Sequence, residues 1–205
     1  MAARQHPFEA LKGYLPAGSF DMVMPLITEH KVHLVITKER QTKLGDFRHA
    51  HRNNNHRITV NGNLNVHAFL ITLIHELAHL LAYQRYGHRI PPHGKEWKYT
   101  YSQLLSSFLA ANIFPADVAH ELTLMLGNPA ASSSAEDGLQ RVLRKYDAPR
   151  PGIATVEEIA EGEAFQLPDG RAFIRGDKLR KRIRCHEMHS IRVYLFHPLY
   201  EVQRL

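Results

Sequence analysis

The chain has 205 residues, of which 44% are hydrophobic and 22% charged, and its formal net charge is +6 with histidine counted as neutral. This composition is typical of a globular protein with one full core and room for a small second unit. The single cysteine excludes a disulfide framework and any ribbon built on paired CxxC clusters. We expect a cytoplasmic protein without a membrane span, because the N-terminus lacks a secretory pattern and the longest apolar run is short.

The first 127 residues predict an α+β arrangement, in which helices flank a small sheet. Helical patterns fall at about residues 7–14, 18–30, 66–86, 94–111 and 115–125, and strand patterns at 33–37, 43–49 and 56–60. Residues 52–55 predict a hairpin loop between the last two strands. Asn65 is a candidate N-cap for the long helix, and Gly87 follows its last turn.

The rest of the chain predicts a linker and a second unit. In residues 128–152, segments with small residues and prolines flank a short amphipathic helix. The expected division is therefore a domain of residues 1–127, a linker of 128–152 and a basic β-unit of 153–205. Short strands are expected at 164–167, 171–174, 179–185 and 191–196. Charge is localised in this half, since residues 128–170 carry −4 and residues 171–205 carry +6.

The main chemical signal is the sequence His75-Glu76-Leu77-Ala78-His79. Side chains four residues apart lie on one face of a helix, so His75 and His79 can bind the same ion. An HExxH helix is the known signature of a zinc peptidase in which the glutamate, here Glu76, is the general base. A chance motif on a solvated helix is disfavoured, because this segment is apolar and burying unpaired polar groups costs about 2–3 kcal/mol each.

A catalytic zinc site needs a third protein ligand and an open fourth position. His93 is the preferred candidate, because a turn and a second helix could return it to the first two histidines. Glu96 and His88 are the alternatives, and Glu96 could instead orient a ligand histidine through a hydrogen bond. Trp97 is expected to be a packing anchor. We expect one zinc ion per chain.

The segment TLIHELAHLLAYQRYGHRIPPHGKEWK resembles the SprT-like family of zinc metallopeptidases, which is related to Spartan-type DNA-dependent proteases. The resemblance covers about residues 20–112. It implies a zincin-like domain of helices on a three-stranded sheet, with His75, His79 and His93 on zinc and Glu76 catalytic. Many bacterial relatives add a C-terminal ribbon with two cysteine pairs. This chain has only Cys185, so its last strands are expected to replace that ribbon without zinc.

Basic side chains near the C-terminus are candidate nucleic-acid contacts. They are Arg180, Lys181, Arg182 and Arg184, all within one predicted strand. Such a surface would bind DNA weakly and without sequence preference, through its phosphates. The alternative is a solvated strand face. A second metal site at Cys185 and its neighbouring histidines is not expected, and His49, His51 and His56 are expected to be surface residues.

Two functions fit these residues. The first is a zinc endopeptidase that hydrolyses protein or peptide substrates, including DNA-associated proteins, bound by strand addition along the strand at 56–60. The second is a non-catalytic, zinc-stabilised binding module associated with DNA or transcription. An intact Glu76 favours the enzyme, because a structural metal site has no use for a carboxylate that is not a ligand.

Overall fold

The computed structural model describes residues 8–40, 42–50, 55–129 and 137–205. The chain forms two compact units, Met1–Asp147 and Ala148–Leu205, each with its own hydrophobic core. The first unit combines helices with a sheet and the second consists mainly of strands, so the predicted α+β class is confirmed. His51 and parts of the predicted hairpin loop and linker lie outside the described residues.

The first unit contains five α-helices and three strands in its described part. After a 3₁₀ helix at Glu9–Tyr14, these are α1 (Phe20–Glu29), β1 (His33–Thr37), β2 (Gly45–Arg48), β3 (Arg57–Asn61), α2 (Val66–Tyr86), α3 (Lys95–Ala110), α4 (Ala116–Met125) and α5 (Asp137–Arg144).

The three strands form one sheet in the order β1-β3-β2. β1 runs parallel to β3, with Leu34 opposite Ile58, and β2 runs antiparallel to it, with Phe47 opposite Ile58. β3 is therefore the central strand, and its apolar side chains are buried in the core formed with the helices. The expectation that a substrate pairs with the strand at 56–60 is wrong, since that strand has no free edge; the edges are β1 and β2.

The long helix α2 passes through the core of the first unit. It begins where the Asn65 side chain accepts hydrogen bonds from the backbone N–H groups of His67 and Ala68, and it ends before Gly87, whose φ of 81° suits glycine. By length and mean hydropathy this helix could cross a membrane, but 61% of its apolar window is buried inside the molecule. That burial is typical of the core helix of a globular domain.

The short helix α5 packs into the core of the first unit. Its apolar face, which includes Leu139 and Leu143, is buried, and the Asn65 amide donates to the Leu143 carbonyl at 3.0 Å. Just beyond the helix, the Tyr146 hydroxyl donates to the Asp117 carboxylate at 2.7 Å. The amphipathic segment placed in a linker by the sequence thus belongs to the first compact unit, which extends to Asp147.

The second unit is a six-stranded antiparallel sheet in the order β4-β9-β5-β6-β7-β8. The strands are β4 (Ile153–Thr155), β5 (Ala164–Gln166), β6 (Ala172–Lys178), β7 (Ile183–Glu187), β8 (Val193–Phe196) and β9 (Glu201–Arg204). β7 starts later than the strand predicted at 179–185, because the Leu179 N–H donates to the Arg182 carbonyl and closes a turn there. Arg180, Lys181 and Arg182 therefore lie in the turn between β6 and β7; we call these three residues the basic tip.

Candidate metal centre

Two imidazoles one turn apart on α2 face the same point. His75 and His79 are separated by four residues, and their Nε2 atoms lie 3.2 Å apart. This arrangement follows from the helical period, which places residues i and i+4 on one face. The helix is fixed in the core, so both rings are held by a rigid element rather than a loop.

A third imidazole reaches this pair from the turn between α2 and α3. The His93 Nε2 atom lies 3.1 Å from that of His75 and 3.0 Å from that of His79. His93 has a φ of 57°, a left-handed conformation that costs a non-glycine residue about 1–3 kcal/mol. Gly94 follows and is the N-cap of α3, so the strained residue stands where the chain enters the helix.

The three nitrogen atoms form a group that could hold a metal ion. Burial, together with the neighbouring imidazoles, lowers the pKa of His75 to about 3 and that of His79 to about 4. Burial and the charge of Lys98 also lower the pKa of His93. A neutral imidazole is the form that ligates metals. Three neutral rings whose Nε2 atoms converge cannot all satisfy one another by hydrogen bonding, whereas one cation would satisfy all three.

The indole of Trp97 packs against all three imidazoles. The Trp97 ring centroid lies 4.6 Å from that of His75, 5.2 Å from that of His79 and 4.7 Å from that of His93. Tyr101 stacks on the same indole at 5.0 Å with an interplanar angle of 9°. Both residues are only 1% exposed, so Trp97 packs beneath the imidazoles and offers no exposed surface for a substrate.

Glu76 lies beside the imidazoles but outside their group. Its carboxylate is buried, and the backbone N–H of Phe47 in β2 acts to lower its pKa. Burial, with a further contribution from the negative charge of Asp46, raises the pKa of Glu76 to about 8. The sequence did not reveal its close neighbour Gly45, although a glycine at the start of a strand is a signal of close backbone approach.

The alternative third ligands lie elsewhere. His88 is exposed in the turn after α2, and Glu96 is in the first turn of α3, where its carboxylate lies 3.9 Å from the Lys95 amine. Neither belongs to the group of convergent ligand atoms found among the described residues. Among the described residues no ligand imidazole donates a hydrogen bond to Glu96, so an orienting role for Glu96 stays a prediction.

Other candidate residues are separate from this centre. His49 stacks on Tyr83 with centroids 5.3 Å apart, and His56 stacks on Phe47 at 5.8 Å. Cys185 is buried in the apolar core of the second unit, and no second cluster of metal-binding side chains is found in the part of the chain that the structure describes.

The candidate nucleic-acid residues divide into two environments. The basic tip occupies an exposed turn, whereas Arg184 lies in β7 and forms an ion pair of 3.2 Å with Asp177. They therefore do not all lie in one strand, as the sequence predicted, and Arg184 already has an acidic partner.

The fold and the site define an α+β domain in which the core helix α2 and the turn after it present a histidine group able to hold a metal ion. Comparison with protein families gives a match to the SprT-like family over residues 20–122, which is half of the chain. The chain belongs to the SprT-like family, and the resemblance found in the sequence is confirmed.

Curated relatives called Protein SprT match over short segments. The protein from Yersinia enterocolitica is 58% identical over 31 residues, which are 15% of this chain and 18% of the relative. The protein from Cronobacter sakazakii is 50% identical over 42 residues, 20% of this chain and 25% of the relative. The matches thus span a quarter or less of these relatives' length. No solved structure matches the chain.

Proposed function

We propose that the protein is a zinc-dependent endopeptidase that hydrolyses peptide bonds in protein substrates. The observation that carries this proposal is the convergence of three imidazole nitrogens beside a buried carboxylate that is not one of the converging groups. A site with a purely structural metal has no need of such a carboxylate. A hydrolytic site needs a group that moves protons next to its metal.

Zinc suits the three imidazoles better than the other common ions. Imidazole nitrogen is a favoured zinc ligand, and catalytic zinc sites use three protein ligands. Zinc–nitrogen distances of about 2.0–2.1 Å in a tetrahedral site separate the ligand atoms by about 3.3 Å. The Nε2 separations of 3.0–3.2 Å in this group are close to that value. When bound, the ion would supply Lewis acidity at the reacting water and carbonyl.

Glu76 performs the proton transfers in this proposal. Its carboxylate accepts a proton from the attacking water as the water oxygen forms a bond to the scissile carbonyl carbon. It then gives the proton to the amide nitrogen as the carbon–nitrogen bond breaks, so a carboxylic acid and an amine leave. The carboxylate is buried, and Gly45 of β2 is its close neighbour.

The substrate in this proposal extends along β2. This strand is a free edge of the sheet, and it contacts α2 at Glu76. An extended peptide that adds a strand at this edge would place its backbone beside the imidazoles and the carboxylate. β2 replaces the central strand β3 as the proposed docking edge.

DNA-associated proteins are the proposed physiological substrates, in the cytoplasm. The support is the exposed basic tip together with the +6 charge of residues 171–205. Clustered cations that face solvent attract phosphates without reading sequence. A non-catalytic module that binds DNA would use the same residues, so the decisive experiment concerns Glu76 rather than the basic tip.

The test compares zinc content and proteolysis in three proteins. Glu76→Gln keeps the shape of the side chain but cannot accept the proton, so we expect zinc binding to persist and cleavage of an unfolded polypeptide such as casein to fall about 10²–10⁴-fold. Glu39→Gln, an exposed carboxylate of the same unit, is the control and should keep full activity. Equal cleavage by wild type and Glu76→Gln, or none by the zinc-loaded wild type with or without single-stranded DNA, would refute the peptidase.

A further inference from the structure

The backbone N–H and C=O groups of successive β2 residues point alternately towards β3 and away from it. The Asn61 N–H of β3 donates to the Leu44 carbonyl at 2.9 Å, so these two residues form a hydrogen-bonded pair at the start of the antiparallel ladder. Hydrogen-bonded and non-hydrogen-bonded pairs alternate along such a ladder. Gly45 and Phe47 therefore belong to the non-hydrogen-bonded pairs, and their N–H and C=O groups point away from β3 towards the free edge.

The Glu76 side chain reaches this strand from α2 and lies against Gly45. The backbone N–H of Phe47, two residues further on, lowers the pKa of this carboxyl. A Cβ atom built on Gly45 would lie 2.5 Å from Glu76 Oε1 and 2.8 Å from Glu76 Cγ. Both separations are shorter than any real Cβ contact, so the carboxylate stands in space that only a glycine leaves open.

Position 45 requires glycine because there is no room for a side chain, and not because of its backbone conformation. The φ angle of Gly45 lies outside the left-handed region, so an L residue could adopt its backbone without strain. A second neighbour, Thr72 Cγ2 on α2, would lie 2.8 Å from the same Cβ. The helix carrying Thr72 and Glu76 is fixed in the core, so a side chain at position 45 would displace the end of the Glu76 side chain first.

We propose that Gly45 is a positioning residue for the general base: by having no side chain, it lets the Glu76 carboxylate lie against β2 and remain beside the histidine group. The proposal rests on the proposed function for the role of Glu76. It assigns to β2 a second task, since the strand that pairs with the substrate also fixes the group that transfers the protons.

The experiment uses the full chain and the substitution Gly45→Ala. The control is Gly13→Ala, because nothing lies within 4 Å of a Cβ at Gly13 in the same unit. Gly45→Ala/Thr72→Ser removes the threonine methyl group and keeps its hydroxyl, so it separates the contact with Thr72 from the contact with Glu76. Three quantities are measured: the hydrogen exchange of the Phe47 amide, zinc affinity, and the kcat and KM of casein cleavage.

In Gly45→Ala we expect the Phe47 amide to exchange about tenfold faster, because displacement of the Glu76 side chain exposes it to solvent. We expect kcat to fall about 100-fold, as for a misplaced catalytic group, with zinc affinity and KM within about threefold of wild type. The double variant should behave like Gly45→Ala, and Gly13→Ala like wild type.

Three results would overturn the proposal: unchanged exchange at Phe47, unchanged kcat in an active enzyme, or recovery of kcat in the double variant, which would assign the effect to Thr72. Absence of peptidase activity in the wild type, with faster Phe47 exchange in Gly45→Ala, would refute the proposed function and still support the positioning of Glu76 by Gly45.

Discussion

The conformation of His93 allows its two roles, as ligand and as backbone element, to be measured separately. With a φ of 57°, it occupies a region that costs an L residue about 1–2 kcal/mol and that glycine adopts freely. His93→Ala and His93→Gly both remove the imidazole, but only the glycine variant relieves the backbone. The two substitutions should therefore affect metal binding equally and folding stability differently.

The magnitude follows from two opposing effects. Relief of the left-handed strain favours the glycine variant by about 1–2 kcal/mol, while the greater freedom of glycine in the unfolded chain costs about 0.5–1 kcal/mol. The metal-free glycine variant should thus be more stable than the metal-free alanine variant by roughly 0.5–1 kcal/mol. Zinc at 100 times its Kd should stabilise the wild type by about 2.7 kcal/mol, and neither variant should gain this shift at that concentration.

The assay is urea unfolding of the three proteins, first with chelator and then with zinc. Far-ultraviolet circular dichroism follows the loss of structure, and metal analysis after dialysis gives the zinc content. Equal stability of the two metal-free variants would refute the strain at position 93. Full retention of zinc by His93→Ala would refute its role as the third ligand.

Three further outcomes are expected. Co²⁺ should quench the fluorescence of Trp97, the single tryptophan of the chain, with the stoichiometry of one ion per chain, because its indole touches all three imidazoles; titration to two ions would contradict this. Asn65→Ala should lower the unfolding free energy by about 1–2 kcal/mol through loss of the N-cap, and the exposed Asn63→Ala should not. Replacing all three residues of the basic tip by glutamine should weaken DNA binding and flatten its salt dependence. Arg184→Gln should change DNA binding little, because Arg184 is paired with Asp177. An equal loss of DNA affinity in the two variants would show that a place in the turn does not matter.

Local signals in the sequence were sufficient to predict the convergence of three histidines. The helix from Asn65 to Gly87 has a capping side chain at one end, a glycine at the other and an apolar body between them, and the structure reproduces both ends. The spacing of His75 and His79 is a property of the helix itself. The return of His93 required only a turn and a second helix, and both are present.

Contacts between distant segments were not accessible in the same way. The order of the strands depends on which strands pair with one another. An apolar run such as β3 has the same sequence pattern as a central strand and as an edge strand. The approach of Gly45 to Glu76 joins residues 31 positions apart; a glycine in a strand signals a close approach, but the local sequence does not identify the partner. The turn at the basic tip was missed because Leu179, Ile183 and Cys185 around it fall on alternate positions, as in one continuous strand.

The second unit has an aromatic core of its own. Phe165 and Phe173 stack with centroids 5.7 Å apart, and Phe196 meets both rings edge-on at 5.5 and 5.1 Å. Burial raises the pKa of the Cys185 thiol, so this cysteine is kept in the form that does not ligate metals. The stability of this unit should then be independent of zinc.

Chelation should accordingly act on one unit alone. Amide hydrogen exchange of the chain with and without chelator is expected to show faster exchange around His75, His79 and His93, where the ion would hold α2 to the following turn. Amides of β4 to β9 should exchange at unchanged rates, because aromatic packing rather than an ion holds that sheet together. Faster exchange in Ile183–Glu187 on chelation would show that a metal also stabilises the second unit, and would refute the argument that its phenylalanine core is sufficient.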